Sequence, residues 1–183
     1  MITVAIIGAG PLGRWLALAA AKAGFRVLLE DVMPSNLHHA QEALRAELGV
    51  EALGGSSRVA FVSTIEDAVE HADLAIDCVP DELESKLEIL WLLDRMAPPR
   101  TVLATPTTRL SISDLASCTY RADKVIGIGV EAASLAEGAL SAIEMRTTAK
   151  TGQETITLVT EFWRRLGFEP TFVQEEVGAA GER

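Results

Sequence analysis

The hydrophobic positions of this chain follow two different patterns, which occur in turn along the sequence. Short apolar runs, typical of strands buried in a parallel sheet, are separated by longer segments whose apolar residues recur every three or four positions, as on one side of a helix. The predicted strands are residues 2–7, 25–29, 59–62, 73–79, 101–105, 124–130, 142–146 and 171–174. The predicted helices are residues 11–23, 35–48, 65–71, 82–96, 111–116 and 153–166. This order predicts a single doubly wound α/β domain with a mostly parallel sheet of about eight strands.

Several helix boundaries are predicted from capping residues. Ser35 is the expected N-cap of the second helix, and Ser111 or Ser113 is that of the fifth. Gly24 and Gly167 follow predicted helix ends, where glycine readily adopts the left-handed backbone conformation that stops a helix.

A glycine-rich turn joins the first strand to the first helix. Its residues are Gly8, Ala9, Gly10, Pro11, Leu12 and Gly13. In a βαβ unit the first glycine makes the tight turn, the second lets the backbone approach a pyrophosphate, and the third allows close packing of helix on strand. The helix N-terminus adds free N–H groups and the positive end of its dipole. We therefore predict a Rossmann fold whose dinucleotide site includes Gly8, Gly10, Pro11, Leu12 and Gly13.

An acidic residue follows the second strand, where Glu30 is succeeded by Asp31. Asp31 lies about 20 residues after the glycines, the spacing at which a carboxylate accepts a hydrogen bond from the 2′-hydroxyl of an adenosine ribose. A 2′-phosphate would meet negative charge there, so the sequence favours NAD over NADP. The alternative is a glycine turn in a βαβ unit that has lost its ligand, with Asp31 as a solvated strand end.

Composition limits the classes of function. The chain has 183 residues, 49% of them hydrophobic, which suits one compact domain; we expect it to span residues 1–174, with residues 175–183 as a frayed tail. The net charge of −10 disfavours nucleic acid and anionic membranes as partners. There is no long apolar run and no signal-like start, so we expect a cytoplasmic protein without a membrane segment. The spacing of Cys78 and Cys118 indicates no metal site.

The predicted helix 82–96 carries an apolar stripe wider than contact with one sheet requires. Leu87, Leu90 and Trp91 belong to it, and further leucines flank them. Two interpretations remain open: the helix is deeply buried, or it covers a partner subunit.

Several blocks of this sequence occur together in the order of a known family. They are residues 4–13, Asp31, and residues 76–86, 102–108, 125–129 and 142–144. With these blocks the chain resembles, along almost its whole length, the NAD-binding domain of the 3-hydroxyacyl-CoA dehydrogenases. The resemblance implies an NAD-dependent oxidoreductase ancestry connected with fatty acid metabolism. It also implies that Asp81 and Lys86 lie near the nicotinamide ribose, and that Cys78 and Val79 lie along the cofactor.

The catalytic residues that the resemblance implies are only partly present. Family enzymes use a histidine as general base, and Gly129 stands at its position. The glutamate that orients the histidine corresponds to Glu144, although a short insertion at residues 133–138 intervenes. The serine that binds the substrate oxygen corresponds to Thr108, and the asparagine of the same loop to Pro106. The other candidate base near this position is Glu131, which would need a raised pKa to act at neutral pH.

Two functions follow from the resemblance. The first is an NAD(H)-binding protein that is degenerate in the standard hydroxyacyl-CoA dehydrogenase reaction. The second is an active oxidoreductase on a hydroxyacyl-type substrate, completed by a homodimer partner or by the helical domain that closes the site in the family. Acyl-CoA binding is not expected, because the segment between Asp31 and Val59 is short and its only arginines are Arg45 and Arg58.

Overall fold

The computed structural model of the chain describes residues 1–53, 58–130, 134–135 and 142–176. Its strands are β1 Thr3–Ile7, β2 Arg26–Glu30, β3 Val59–Val62, β4 Leu74–Asp77, β5 Val102–Pro106, β6 Val125–Ile128, β7 Ala142–Thr147 and β8 Glu169–Gln174. Its helices are α1 Pro11–Lys22, α2 Pro34–Leu48, α3 Ile65–Val69, α4 Leu83–Met96, α5 Ile112–Ser117 and α6 Gln153–Arg165.

The eight described strands form one sheet in the order β3-β2-β1-β4-β5-β6-β7-β8. All neighbouring pairs are parallel except β6 and β7, which are antiparallel. The strand order reverses between β1 and β4, so the helices that follow these two strands lie on opposite faces. In open α/β sheets, ligands bind beside the carboxyl ends of the strands at such a switch point.

Apolar side chains cover the sheet on both faces. One cluster contains Leu16, Phe25, Phe162 and Trp163, and brings α1 and α6 onto the first face. The other contains Leu90 and residues of α3 and α5 on the opposite face. The central strands are almost wholly buried because they are covered on both sides, as their continuous apolar runs predict. The predicted doubly wound, mostly parallel α/β fold is confirmed.

The element boundaries differ from the predictions mainly where a cap decides them. Helix α2 begins at Pro34 with Met33 as its N-cap, so the prediction of Ser35 as the cap is wrong; proline is favoured at the first helical position. Of the two serines considered for α5, Ser111 is the cap, its Oγ accepting from the N–H of Asp114 at 3.2 Å. Helix α3 ends at Val69, two residues before the predicted end.

Glu175, near the end of the described residues, is held by the fold at the point where the frayed tail was predicted to begin. The N–H of Glu175 donates to the carbonyl of Thr147 at 2.8 Å, extending the β7–β8 ladder. Its carboxylate accepts from the N–H groups of Ile112 and Ser113 and pairs with Arg146. Glu175 is therefore not frayed, because this carboxylate satisfies the free amides at the start of α5.

Candidate functional site

A cleft of about 630 Å³ lies beside the carboxyl ends of β1, β2 and β4, at the switch point of the sheet. Of the predicted cofactor residues, five line it: Gly8, Gly10, Asp31, Cys78 and Val79. Three others, Pro11, Leu12 and Gly13, form the first turn of α1 directly after the glycine turn. The remaining two, Asp81 and Lys86, are not among its lining residues. The structure thus brings together the glycine turn, the acid after β2 and the end of β4.

The glycines of the turn have distinct steric environments. Gly8 has a φ of +106°, and a Cβ on it would lie 3.0 Å from the carbonyl oxygen of Cys78. A Cβ on Gly13 would lie 1.8 Å from the carbonyl oxygen of Gly8, so this position excludes any side chain. Gly10 lies in the open, with nothing within 4 Å of the Cβ position, and it lines the cleft. The turn therefore exposes backbone to the cleft at the N-terminus of α1, which fits a bound pyrophosphate.

Asp31 connects the end of β2 to the glycine turn. Its Oδ2 accepts from the N–H of Ala9 at 2.9 Å, and its Oδ1 accepts from the N–H of Met33 at 2.8 Å. The side-chain amide of Asn36 donates to both oxygens, at 3.1 and 3.2 Å. Asp31 is 8% exposed. The carboxylate thus positions the glycine turn; that it also binds the ribose hydroxyl stays a prediction.

The cleft is acidic. Glu30, Asp31 and Glu88 line it, and no lysine, arginine or histidine does so within the described ranges. Burial, together with the negative charge of Asp31, raises the pKa of Glu30 to about 7. A phosphate placed near these carboxyl groups would be repelled, whereas the pyrophosphate beside the helix N-terminus meets a positive potential. The charges therefore fit an NAD adenosine better than one bearing a 2′-phosphate.

Lys86 and Asp77 form a buried ion pair at the end of β4. The Lys86 Nζ lies 2.5 Å from Asp77 Oδ1, and the side chains are 1% and 0% exposed. Burial raises the pKa of Asp77, and the charge of Lys86 opposes that shift. Three buried oxygens of the described region have no hydrogen-bond partner: Asp77 Oδ2, Asp81 Oδ1 and Thr105 Oγ1. Lys86 is therefore paired inside the protein, and its position near the nicotinamide ribose stays a prediction.

The two residues at the catalytic positions face each other across the antiparallel pair β6–β7. The N–H of Gly129 donates to the carbonyl of Glu144 at 2.9 Å. A Cβ on Gly129 would lie 2.8 Å from Glu144 Oε1, so this carboxylate lies in close contact with position 129. Thr108 is exposed in the loop after β5, the strand that pairs with β6. Glu131, the other candidate base, lies outside the described residues.

Arg146 supports the loop that carries Thr108, a role that the sequence analysis missed. Its guanidinium donates to the carbonyls of Thr107 and Leu110 at 3.4 and 3.1 Å, and to Glu175 at 2.8 Å. Asn36, which holds Asp31, was missed as well. The signal for Arg146 was an arginine at an otherwise strand-like position, but only the fold shows which carbonyls it reaches.

The NAD-binding domain model of the 3-hydroxyacyl-CoA dehydrogenases matches residues 3–177 of this chain. The chain belongs to the 3-hydroxyacyl-CoA dehydrogenase family. Within it, this chain is an NAD-binding domain, and its cofactor is NAD. The cleft at the switch point, with its glycine turn, is therefore the expected location of the dinucleotide.

Individual relatives agree with this assignment. The chain is 34% identical to a probable 3-hydroxybutyryl-CoA dehydrogenase of Bacillus subtilis over 68% of this chain and 47% of the relative. It is 29% identical to the 5-formyl-3-hydroxy-2-methylpyridine 4-carboxylate 5-dehydrogenase of Mesorhizobium japonicum, over 95% of this chain and 58% of the relative. A 3-hydroxyacyl-CoA dehydrogenase structure from Archaeoglobus fulgidus superposes with a TM-score of 0.80 at 26% identity, covering 97% of this chain and 58% of that one. This chain thus spans about half the length of the relatives it matches.

The described part of the chain contains neither a membrane-spanning helix nor a cluster of metal-ligating side chains. None of its helices is long and apolar enough to cross a membrane. No group of three or more histidine, cysteine, aspartate or glutamate side chains there is arranged to hold a metal ion.

Proposed function

We propose that this domain binds NAD(H) in the cleft and is degenerate in the family's standard reaction, the dehydrogenation of a 3-hydroxyacyl-CoA. The observation that supports this proposal is the environment of position 129. Gly129 has no side chain to accept a proton, and Glu144 Oε1 lies 2.8 Å from the place of its Cβ. Loss of a general base commonly lowers a rate by about 10² to 10⁴.

Different residues of the cleft would hold the different parts of the cofactor. The backbone at Gly8 and Gly10, with the N-terminus of α1, would hold the pyrophosphate, and the region of Asp31 would hold the adenosine half. Cys78 and Val79 at the end of β4 would lie along the nicotinamide half. When bound, NAD supplies the hydride-accepting chemistry of its nicotinamide ring.

A second candidate function is an oxidoreductase whose site is completed by a helical domain or a second subunit. Glu144 and Thr108 favour it, because both are exposed at the same edge of the sheet and keep a carboxylate and a hydroxyl there. Helix α4 also leaves three apolar residues about half exposed, Leu83, Trp91 and Met96, which would suit contact with such a partner.

Calorimetric titration with NADH and NADPH at matched salt tests the first proposal. We expect NADH to bind at least about tenfold more tightly than NADPH, because the acidic cleft disfavours a 2′-phosphate. We expect no turnover of 3-hydroxybutyryl-CoA with NAD above the rate without protein. Failure of both cofactors to bind would contradict the proposal at its cofactor site.

Turnover by the unmodified chain would instead support the second candidate. Gly129→His separates the two further, since an imidazole at position 129 would lie beside the Glu144 carboxylate after a small shift of that side chain. We expect this variant to gain activity only when a family helical domain is added in trans. Gly129→Ala is the matched control, since it adds the Cβ at the same position without an imidazole.

A further inference from the structure

We propose that the side-chain carboxyl group of Glu30 recognises the adenine base of the bound dinucleotide. The inference rests on the proposed NAD(H) binding and assigns a residue to the base. It concerns the residue before Asp31, the acid on which the sequence argument for cofactor choice depends. The evidence is the placement of Glu30, its lack of protein partners and the composition of its surroundings.

Glu30 is the last residue of β2 and points to the side of the sheet covered by α3 and α4. It pairs in parallel register with Ile7, so the two side chains share a face. Leu28, two positions earlier on the same face, packs against the apolar cluster under these helices. The apolar cluster ends at Glu30, where the cleft begins. Glu30 lines the cleft and is only 6% exposed.

The carboxyl group of Glu30 has no hydrogen-bond or ion-pair partner among the residues that the structure describes. Its backbone carbonyl accepts from the N–H of Gly8 at 2.8 Å, but its side-chain oxygens are unused. Asp31 differs, because its oxygens already accept from Ala9, Met33 and Asn36. Because the residue lines the cleft, a ligand bound there can supply the missing partner. Glu30 is therefore the buried carboxyl group of this cleft that has no described protein partner, whereas Glu88, which also lines the cleft, is exposed.

The surroundings of Glu30 suit a flat base and a neutral acid. Ile65, Ile89 and Leu92 provide apolar surface in the same cleft. The charged groups that line it are Asp31 beside Glu30 and Glu88 on α4, both negative, and no cation lines it in the described ranges. Burial and then Asp31 raise the pKa of Glu30 to about 7, so a large share of the group is protonated at neutral pH.

The chemistry of adenine matches that of a protonated carboxyl group. Adenine presents an amine donor beside a ring-nitrogen acceptor, and a neutral carboxyl group presents an acceptor beside a donor. Two hydrogen bonds can form. Ionisation of Glu30 would remove its donor and set an anion against the lone pair of the ring nitrogen. The glycine turn is the expected site of the pyrophosphate, and Asp31 after β2 is the expected site of the adenosine ribose. The adenine attached to that ribose is therefore expected close to Glu30.

Calorimetric titration of the purified chain with NADH at pH 6 and pH 8 tests the inference. With a pKa of about 7, the protonated fraction falls about tenfold between these values, so NADH should bind about tenfold more tightly at pH 6. Glu30→Gln keeps a donor and an acceptor, and should bind with a flat pH profile. Glu30→Leu removes both, and should lose about tenfold in affinity at pH 6. Glu84→Gln, at an exposed acid on α4 outside the cleft, is the matched charge control.

The 1,N6-etheno analogue of NADH, which lacks the amine donor, provides a second measurement. The unmodified chain should prefer NADH to this analogue by about tenfold, and Glu30→Leu should lose most of that preference. If NADH fails to bind the unmodified chain, the proposed function itself fails. If NADH binds but Glu30→Leu keeps its affinity and base preference, this inference is wrong. Tighter binding at pH 8, with a loss in Glu30→Gln, would assign the carboxylate to a ribose hydroxyl and overturn base recognition.

Discussion

At the scale of single residues, neighbouring acids in this cleft have different roles. Asp31 is bonded to two backbone amides and to Asn36, whereas Glu30 has no protein partner among the described residues. The difference arises because consecutive residues at a strand end point to opposite sides of the sheet. Burial also decides the role of Lys86, which lies among the buried residues of α4 and pairs with the buried carboxylate of Asp77.

Replacement of Asp31 by alanine should weaken NADH binding by about 1–3 kcal/mol. The reason is that the N–H groups of Ala9 and Met33 lose their acceptor, so the glycine turn is no longer fixed. Calorimetric titration gives the affinity, and thermal unfolding shows whether the chain still folds. Asn36→Ala is the control, since it leaves both amides satisfied and should lose less NADH affinity than Asp31→Ala. Unchanged affinity in Asp31→Ala would remove this residue from the site.

At the scale of elements, the surroundings of α4 account for much of its wide apolar stripe. Ile89, Leu90 and Leu93 are buried against the sheet, and Ile89 and Leu92 also line the cleft. Trp91 stays about half exposed on the outer side. Deep burial therefore accounts for only part of the stripe, and the cleft accounts for another part. Cover by a partner subunit stays a prediction for the remaining exposed side chains.

The glycine turn offers two matched substitutions that separate folding from binding. Gly13→Ala should lower the free energy of unfolding by about 1–3 kcal/mol or more, because its Cβ would lie 1.8 Å from the Gly8 carbonyl oxygen. Gly10→Ala should leave stability nearly unchanged, since its Cβ meets nothing within 4 Å, yet should weaken NADH binding about tenfold by occupying the space of the phosphates. Urea unfolding and calorimetry measure the two effects. Equal NADH affinity in Gly10→Ala would place the pyrophosphate elsewhere.

At the scale of the whole molecule, Glu175 joins the end of the described chain to the loop of Thr108. Burial pushes the pKa of Glu175 upward, but hydrogen bonds from the Ile112 and Ser113 amides and the charge of Arg146 outweigh it, and the net shift is downward. A depressed pKa in the folded state means that the carboxylate stabilises the fold above its ordinary pKa. That stabilisation is lost as the pH falls through the lowered value.

Glu175→Gln should therefore lower the melting temperature at pH 7. The difference from the unmodified chain should shrink as the pH falls below the ordinary glutamate value of 4.5 and vanish in stronger acid. Thermal unfolding followed by circular dichroism across this range measures it. Glu176→Gln, at the exposed neighbouring residue, is the control and should have little effect. A difference that is the same at all pH values would show that the charge of Glu175 is not what stabilises the contact.

Much of this architecture could be predicted because the information was local. Gly8 to Gly13 with Asp31 specified the first βαβ unit, and the apolar run of Leu74 to Cys78 specified a doubly covered strand. The N-cap of α2 was predicted wrongly, because Pro34 takes the first helical position and so places the cap at Met33 instead of Ser35. Arg146 and Glu175 were missed because Arg146 lies in β7 and Glu175 follows β8, almost thirty residues later in the chain. Their pairing depends on a contact that no local pattern contains.

The sequence by itself determined the fold class, the family and the dinucleotide cofactor, because periodicity, glycine spacing and motif order are properties of the chain. Tertiary structure decided which acids are engaged and which is free: Asp31 is bonded to the glycine turn, Asp77 to Lys86, and Glu30 to no described side chain or amide. It also placed the Glu144 carboxylate over Gly129. Burial and hydrogen bonding arise only when distant segments meet, and they determine what each carboxyl group can do.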